Sequence, residues 1–482
     1  MISQHHGNGA FPCIGDHSCV LESFAVADDL SDWCARVIAA MRAWEEGFGP
    51  APVHPSTQLD AARVAALLDG LTERLRDNYP FFHPRYAGQM LKPPHPAAVA
   101  AHLAAMLVNP NNHALDGGPA TAAMEREAVA ALAAMLHLPA DGLGHLTSSG
   151  TIANLEALFV ARELHPGRAV ACSVDAHYTH ERMCHVLGIG CEQVPSDAGG
   201  RIDLDALEAI LRTGRIGTVV LTAGTTGLGA VDPVDEALLL ARSHGVRVHV
   251  DAAYGGFFAI LAWAGDPLVP SPPLRAIAEC DSVVVDPHKH GLQPYGCGAV
   301  LFRDASVARL YAHDSPYTYY TSGVGHLGMI SLECSRAGAA AAALWLTLQA
   351  FPLTPDGLGA LLSAGLRAAR RWSELLEDSA VLAPCHRPEL DIVTLAPRSA
   401  PSLSALDDAC RQILGQGMTA DSDPVFLSLL QLDGARIQSA LPGIEADAPS
   451  ARVLRSVLMK PAHELWVERL HARVEELALS GG

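Results

Sequence analysis

Two short β-branched runs, Val246 to Val250 and Ser282 to Val285, have the character of buried strands, and each leads directly into residues that can carry chemistry. The first continues as Asp251-Ala252-Ala253-Tyr254-Gly255 and the second as Asp286-Pro287-His288-Lys289. In an open α/β sheet, ligands bind in the crevice outside the carboxyl ends of the strands. An Asp at one strand end and a His-Lys pair just past another therefore face the same crevice.

The surrounding pattern supplies such a sheet. From about Asn78 to Leu348 helical and strand-like segments alternate, as expected for a mostly parallel sheet covered on both faces. Further strands are expected at Ala169–Ser173, Val219–Thr222 and Ala299–Phe302. Helical periodicity at Leu30–Trp44 and Leu59–Arg76 comes before any strand, which suggests an N-terminal arm. After Phe351-Pro352-Leu353-Thr354-Pro355 the pattern changes. Helices around Leu358–Leu376, Leu406–Leu414 and Ala462–Leu477 and a strand at Leu390–Leu395 describe an α+β cap. The expected division is residues 1–84 as tail and helical arm, 85–350 as a large domain with a central sheet of the seven-stranded type, and 351–482 as a small domain.

With 49% hydrophobic and 18% charged residues over 482 positions, the chain can bury a large core. A formal charge of −19 argues against a nucleic-acid partner, which needs clustered Lys and Arg. The longest mostly apolar run, Ala337 to Ala350, is too short to cross a bilayer as a helix. Eleven scattered cysteines without framework spacing, and no charged-then-apolar leader, lead us to expect reduced thiols in a cytoplasmic protein. His5, His6, Cys13, His17 and Cys19 do not meet zinc spacing, so no metal is expected and residues 1–26 are taken as a loose tail.

A lysine in the crevice can form a Schiff base, and a buried carboxylate can keep a pyridine nitrogen protonated. Together they suggest pyridoxal phosphate. Thr147-Ser148-Ser149-Gly150-Thr151 opens the helical stretch Leu155–Leu164, and a helix N-terminus rich in small residues can seat a phosphate. The same residues would serve equally as an ordinary N-cap. His288 can donate to a phosphate, and Ala253 is small enough for a flat ring to lie against it. His177 could stack on such a ring or only satisfy a turn. Thr225 and Thr226 could reach the cofactor hydroxyl or only cap backbone.

The motifs in this order resemble the group II pyridoxal phosphate-dependent amino-acid decarboxylases, which are fold-type I enzymes. The resemblance spans His83 to Pro461. It rests on His83-Pro84-Arg85-Tyr86, Pro119-Ala120-Thr121 with Glu125, Thr147 to Thr151 with Ala153-Asn154, and His177-Tyr178-Thr179. It also includes Thr222-Ala223-Gly224-Thr225-Thr226, Val250 to Tyr254, Asp286 to Lys289, Ser335-Arg336 and Leu454-Arg455 through Pro461.

The resemblance implies that Lys289 binds the cofactor as a Schiff base, Asp251 pairs the pyridine nitrogen, and His177 and Ala253 take the two faces of the ring. It implies that Ser149, Gly150, Thr151 and His288 hold the phosphate beside Asp286, and that Thr225 lies near the ring edge. The substrate would be an L-amino acid, converted to its amine and carbon dioxide by a homodimer with shared active sites. Two departures stand out. Ser148-Ser149-Gly150 replaces the Gly-Gly common in the family, and the 315–326 segment offers several candidate proton donors, Tyr317 and Tyr320 among them. An aldehyde-forming decarboxylase, a carbon–carbon lyase, an aminotransferase and a non-catalytic cofactor binder are the alternatives. Gln89 and Lys92 fall where the family lines its substrate pocket, and a lysine there would favour an acidic side chain.

Overall fold

The computed structural model describes residues 21–311 and 327–480. Seven strands form the central sheet: β1 (Leu143–Thr147), β2 (Ala169–Ser173), β3 (Cys191–Val194), β4 (Ile216–Thr222), β5 (Arg247–Asp251), β6 (Ser282–Val285) and β7 (Gly298–Phe302). Their order is β1-β7-β6-β5-β4-β2-β3. Neighbours from β3 to β6 pair in parallel, and β7 runs antiparallel to both β1 and β6. The sheet is thus mostly parallel. β4 is buried along its whole length, as are β6 and β7, because helices cover both faces and leave no side of these apolar runs to water.

This topology brings the C-terminal ends of β1, β4, β5 and β6 to one edge. Thr147, Thr222, Asp251 and Val285 stand there, each leading into one of the motifs named above. The return from β6 to β7 is the turn Asp286–Cys297, which holds His288 and Lys289 at the same edge.

A second, antiparallel sheet of order β10-β11-β9-β8 is built from β8 (Leu382–Pro384), β9 (Ile392–Pro397), β10 (Ser428–Asp433) and β11 (Ser450–Val457). The helices Leu358–Asp378, Leu403–Thr419 and Val467–Ser480 pack on it around Trp372, Leu395, Leu406 and Leu454, all fully buried. Ahead of both sheets, helix Leu21–Glu46 packs on helix Pro96–Val108, while helix Ala61–Leu75 buries no residue at all. No helix among the described residues is long and apolar enough to cross a membrane.

Candidate active site

A cavity of roughly 460 Å³ opens at the C-terminal edge of the central sheet. Its wall includes Ser149, Gly150, Thr151, His177, Asp251, Ala253, Asp286, His288 and Lys289, so one space receives these nine sequence-derived candidates. Thr147 ends β1 and Ser149 caps helix Gly150–Leu164, its hydroxyl accepting from the Ile152 N–H at 3.3 Å. The amides of Gly150 and Thr151 lie in the first turn, where a helix has no internal acceptor to offer. The Ser148 N–H is already taken by Glu333 at 2.8 Å.

Gly150 cannot be replaced here, because a Cβ on it would run into the Asp286 carboxylate. Gly298 of β7 is required in the same way, since its Cβ would meet the backbone of Ser149 at 2.6 Å. The Asp286 carboxylate and strand β7 thus both press close on the start of this helix. Asp286 is buried, with Oδ2 3.3 Å from Lys289 Nζ and 3.5 Å from His288 Nε2. Its Oδ1 is buried with no hydrogen-bond partner. His288 donates from Nδ1 to the Cys297 carbonyl at 2.8 Å, which fixes the ring.

Asp251 ends β5 and is buried, yet burial does not neutralise it. Desolvation pushes its carboxyl up, but the hydrogen bond from His180 and the charges of His180 and Lys289 outweigh that and hold it well below the usual carboxylate range. His180 Nε2 lies 2.9 Å from Asp251 Oδ2, and the Ala253 N–H donates to Oδ1 at 3.2 Å. Behind them His249 bridges Asn154 Oδ1 and Ser282 Oγ, at 2.9 Å each. Burial keeps His249 neutral, with its pKa lowered to about 3. His177 is lowered too, chiefly by burial, and its Nδ1 accepts from the Thr179 N–H at 3.2 Å. In the neutral ring the proton is therefore on Nε2.

Three of the expected residues, Thr225, Gln89 and Lys92, are not on the cavity wall. Thr225 does not face the cavity: it is fully buried and its hydroxyl accepts from the Ala230 N–H at 3.0 Å, closing the Gly224–Gly229 turn. Thr222 and Thr226 line the wall instead. Gln89 and Lys92 are also absent from the wall. Lys92 donates from Nζ to the Met459 carbonyl at 3.3 Å, and burial lowers its pKa to about 8 against the opposing pull of Asp391. Tyr317 and Tyr320 fall outside the described residues. The residue that sequence reasoning missed is His180. Its only signal was the spacing His177-x-x-His180 at the start of helix Thr179–Leu187.

The donor set fits pyridoxal phosphate. An ionised buried carboxylate suits a pyridinium, a lysine amine stands 3.3 Å from Asp286, and a glycine-gated helix N-terminus suits a phosphate. Residues 81–398 match the family model of the pyridoxal-dependent decarboxylase conserved domain. The chain belongs to that family.

It is 30% identical to the L-tyrosine decarboxylase of Enterococcus faecium, over 69% of this chain and 72% of that one. It is 32% identical to the L-2,4-diaminobutyrate decarboxylase of Rhizobium meliloti, over 62% of each. The fold matches the crystal structure of Oryza sativa TDC with PLP and tryptamine at a TM-score of 0.74 and 18% identity, over 96% of this chain and 99% of that one. This decarboxylase is accordingly a pyridoxal phosphate-dependent carboxy-lyase acting on an amino acid.

Proposed function

We propose that the cavity at the sheet edge is where an L-amino acid loses its α-carboxylate, leaving the corresponding amine. The observation that carries this reading is Asp251, buried yet held ionised and opening into the same space as Lys289 and the helix N-terminus. Bound pyridoxal phosphate supplies an electron sink for the pair left behind when carbon dioxide departs. Asp251, held ionised, would keep a proton on the ring nitrogen and so make that sink effective. Lys289 provides the amine that holds the cofactor, and Asp286 beside it fixes where that amine sits. Ser149, Thr151 and His288 hold the phosphate. His177 and the small Ala253, both on the cavity wall, would take the two faces of the ring.

We infer further that the substrate side chain carries no net negative charge. Among the described wall residues Lys289 is the one lysine or arginine, set against Asp251 and Asp286. An acidic side chain would enter without a counter-charge. Lys92, buried against Met459, does not supply one. The relatives divide on this point, since L-tyrosine and L-2,4-diaminobutyrate decarboxylases stand beside a probable L-aspartate decarboxylase, so the reading rests on the charge of the cavity wall.

A homodimer is the proposed assembly. Helix Ala61–Leu75 leaves Leu67, Leu68, Leu71 and Leu75 exposed on a segment with no buried residue, an apolar face that a second copy would cover. The thiols among the described residues are all free, in keeping with a cytoplasmic location.

The test is product analysis on a panel of tyrosine, dopa, tryptophan, diaminobutyrate, aspartate, glutamate and cysteine sulfinate. Carbon dioxide and amine from a neutral or cationic substrate is the expected result. An aldehyde or keto-acid product would replace the amine-forming reading, and preference for the acidic set would overturn the side-chain reading.

A further inference from the structure

Three thiols converge beneath helix Thr179–Leu187, and none of them lines the cavity. Cys172 lies on β2 and Cys191 opens the neighbouring edge strand β3. The parallel register pairs Val170 with Cys191, so Cys172, two residues on, falls on the same face as Cys191. Their sulfurs are 3.6 Å apart. Cys184, on helix Thr179–Leu187, packs into the same small core.

Free cysteines are commonly no more than small core hydrophobes, and Cys280, Cys297 and Cys385 fit that description, each pushed up chiefly by burial. Cys191 differs in two ways. It is partly open to solvent, whereas Cys172 and Cys184 are buried. Its sulfur also lies 3.6 Å from that of Cys172, a contact that lowers the pKa of Cys191 against the opposing effect of burial. Cys191 is therefore the member of the trio that a solvent-borne reagent can approach, with a second sulfur 3.6 Å behind it. A metal site is not the explanation, because no group of three or more His, Cys, Asp or Glu among the described residues is arranged to hold an ion.

We propose that Cys191 and Cys172 form a peroxide-oxidisable pair, with Cys191 the attacking sulfur and Cys172 the resolving one. The Cys191 thiolate attacks one oxygen of a hydroperoxide, the O–O bond breaks, and the leaving oxygen takes a proton to depart as water or alcohol. Cys191 is then a sulfenic acid. The Cys172 sulfur attacks the Cys191 sulfur, the S–O bond breaks, and water leaves with the Cys172 proton. Two thiols have lost two electrons and the peroxide has gained them. Closing 3.6 Å to a disulfide length of about 2.05 Å requires only a small approach of two adjacent strands, one of them an edge.

The test uses the full-length, cofactor-loaded enzyme, reduced and then exposed to hydrogen peroxide. Remaining thiols are alkylated under denaturing conditions and the peptides are identified by mass spectrometry. A Cys172–Cys191 cross-link that dithiothreitol reverses is expected, forming while Cys280, Cys297 and Cys385 still alkylate fully. Cys172→Ser should lose the cross-link and leave a sulfenic acid on Cys191 that dimedone traps. Cys191→Ser should lose both, and Cys191→Ala repeats that result should serine disturb the strand. Oxidation of Cys191 no faster than that of the exposed Cys334 would overturn the proposal, as would a Cys184–Cys191 cross-link in place of the expected one.

Discussion

His180 Nε2 stands 2.9 Å from Oδ2 of Asp251, and both side chains are out of reach of bulk water. The other ring nitrogen of His180, Nδ1, is buried with no partner. The Nε2–H of His180 donates to the Asp251 carboxylate, and this contact helps to hold the carboxyl below its ordinary range. It also fixes the orientation of the carboxylate that would face the cofactor nitrogen.

His180→Phe removes the donor while retaining an apolar ring. A hydrogen bond to a charged group contributes about 1.5–3 kcal/mol, so pyridoxal phosphate affinity should weaken by roughly tenfold to a hundredfold. Titrating the apoprotein with cofactor and following its absorbance reads this independently of turnover. Unchanged affinity together with an unchanged absorbance spectrum would remove His180 from the positioning role.

Lys289→Ala should abolish both turnover and the long-wavelength absorbance of the bound cofactor. Asp286 then loses the amine 3.3 Å from its Oδ2. Spectra of the purified variant with and without added pyridoxal phosphate check this, and a variant retaining both properties would sink the assignment of Lys289.

Much of the sheet edge was legible because strand ends and chemistry coincide in sequence. β2 and β6 fall at the expected bounds, and β4, β5 and β7 within a few residues of them. β1 and β3 were not expected. Leu143-Gly144-His145-Leu146-Thr147 contains a glycine that earns its place only in three dimensions, since a Cβ there would strike Leu301 and Val129. Cys191-Glu192-Gln193-Val194 is a polar edge strand with too little alternation to stand out. The Thr225 hydroxyl and the Lys92 amine were misdirected for a related reason. Whether a polar tip meets a ligand or its own backbone is decided by turns and by distant partners such as Ala230 and Met459. His180 remained hidden because its partner lies on another strand.

Lys92→Met should leave the ratio of rates on tyrosine and aspartate unchanged. The ammonium it removes is bonded to Met459 and lies outside the cavity wall. Any cost should appear in thermal stability. A selective loss of activity on aspartate or cysteine sulfinate would instead restore Lys92 to substrate recognition.

Glu156 gives a pH prediction with a definite sign. It is fully buried on the helix whose first turn faces the cavity, and desolvation raises its pKa to about 7, despite hydrogen bonds from the Leu332 N–H and Ser331 hydroxyl. His145 offers no compensating charge, because burial first and Arg336 second hold it well below its ordinary value. Between the ordinary glutamate value of 4.5 and about 7 the folded protein therefore binds a proton at Glu156 that the unfolded chain has released. Folding stability at this site must fall as pH rises through that window and then level off. Glu156→Gln keeps the shape and the acceptor oxygen but removes the titration. Relative to the parent, the variant should gain stability from pH 5 to pH 8 by an amount on the order of 2 kcal/mol. Urea unfolding of both proteins across that range measures the difference, and a gap that stays constant with pH would show that Glu156 does not titrate in this window.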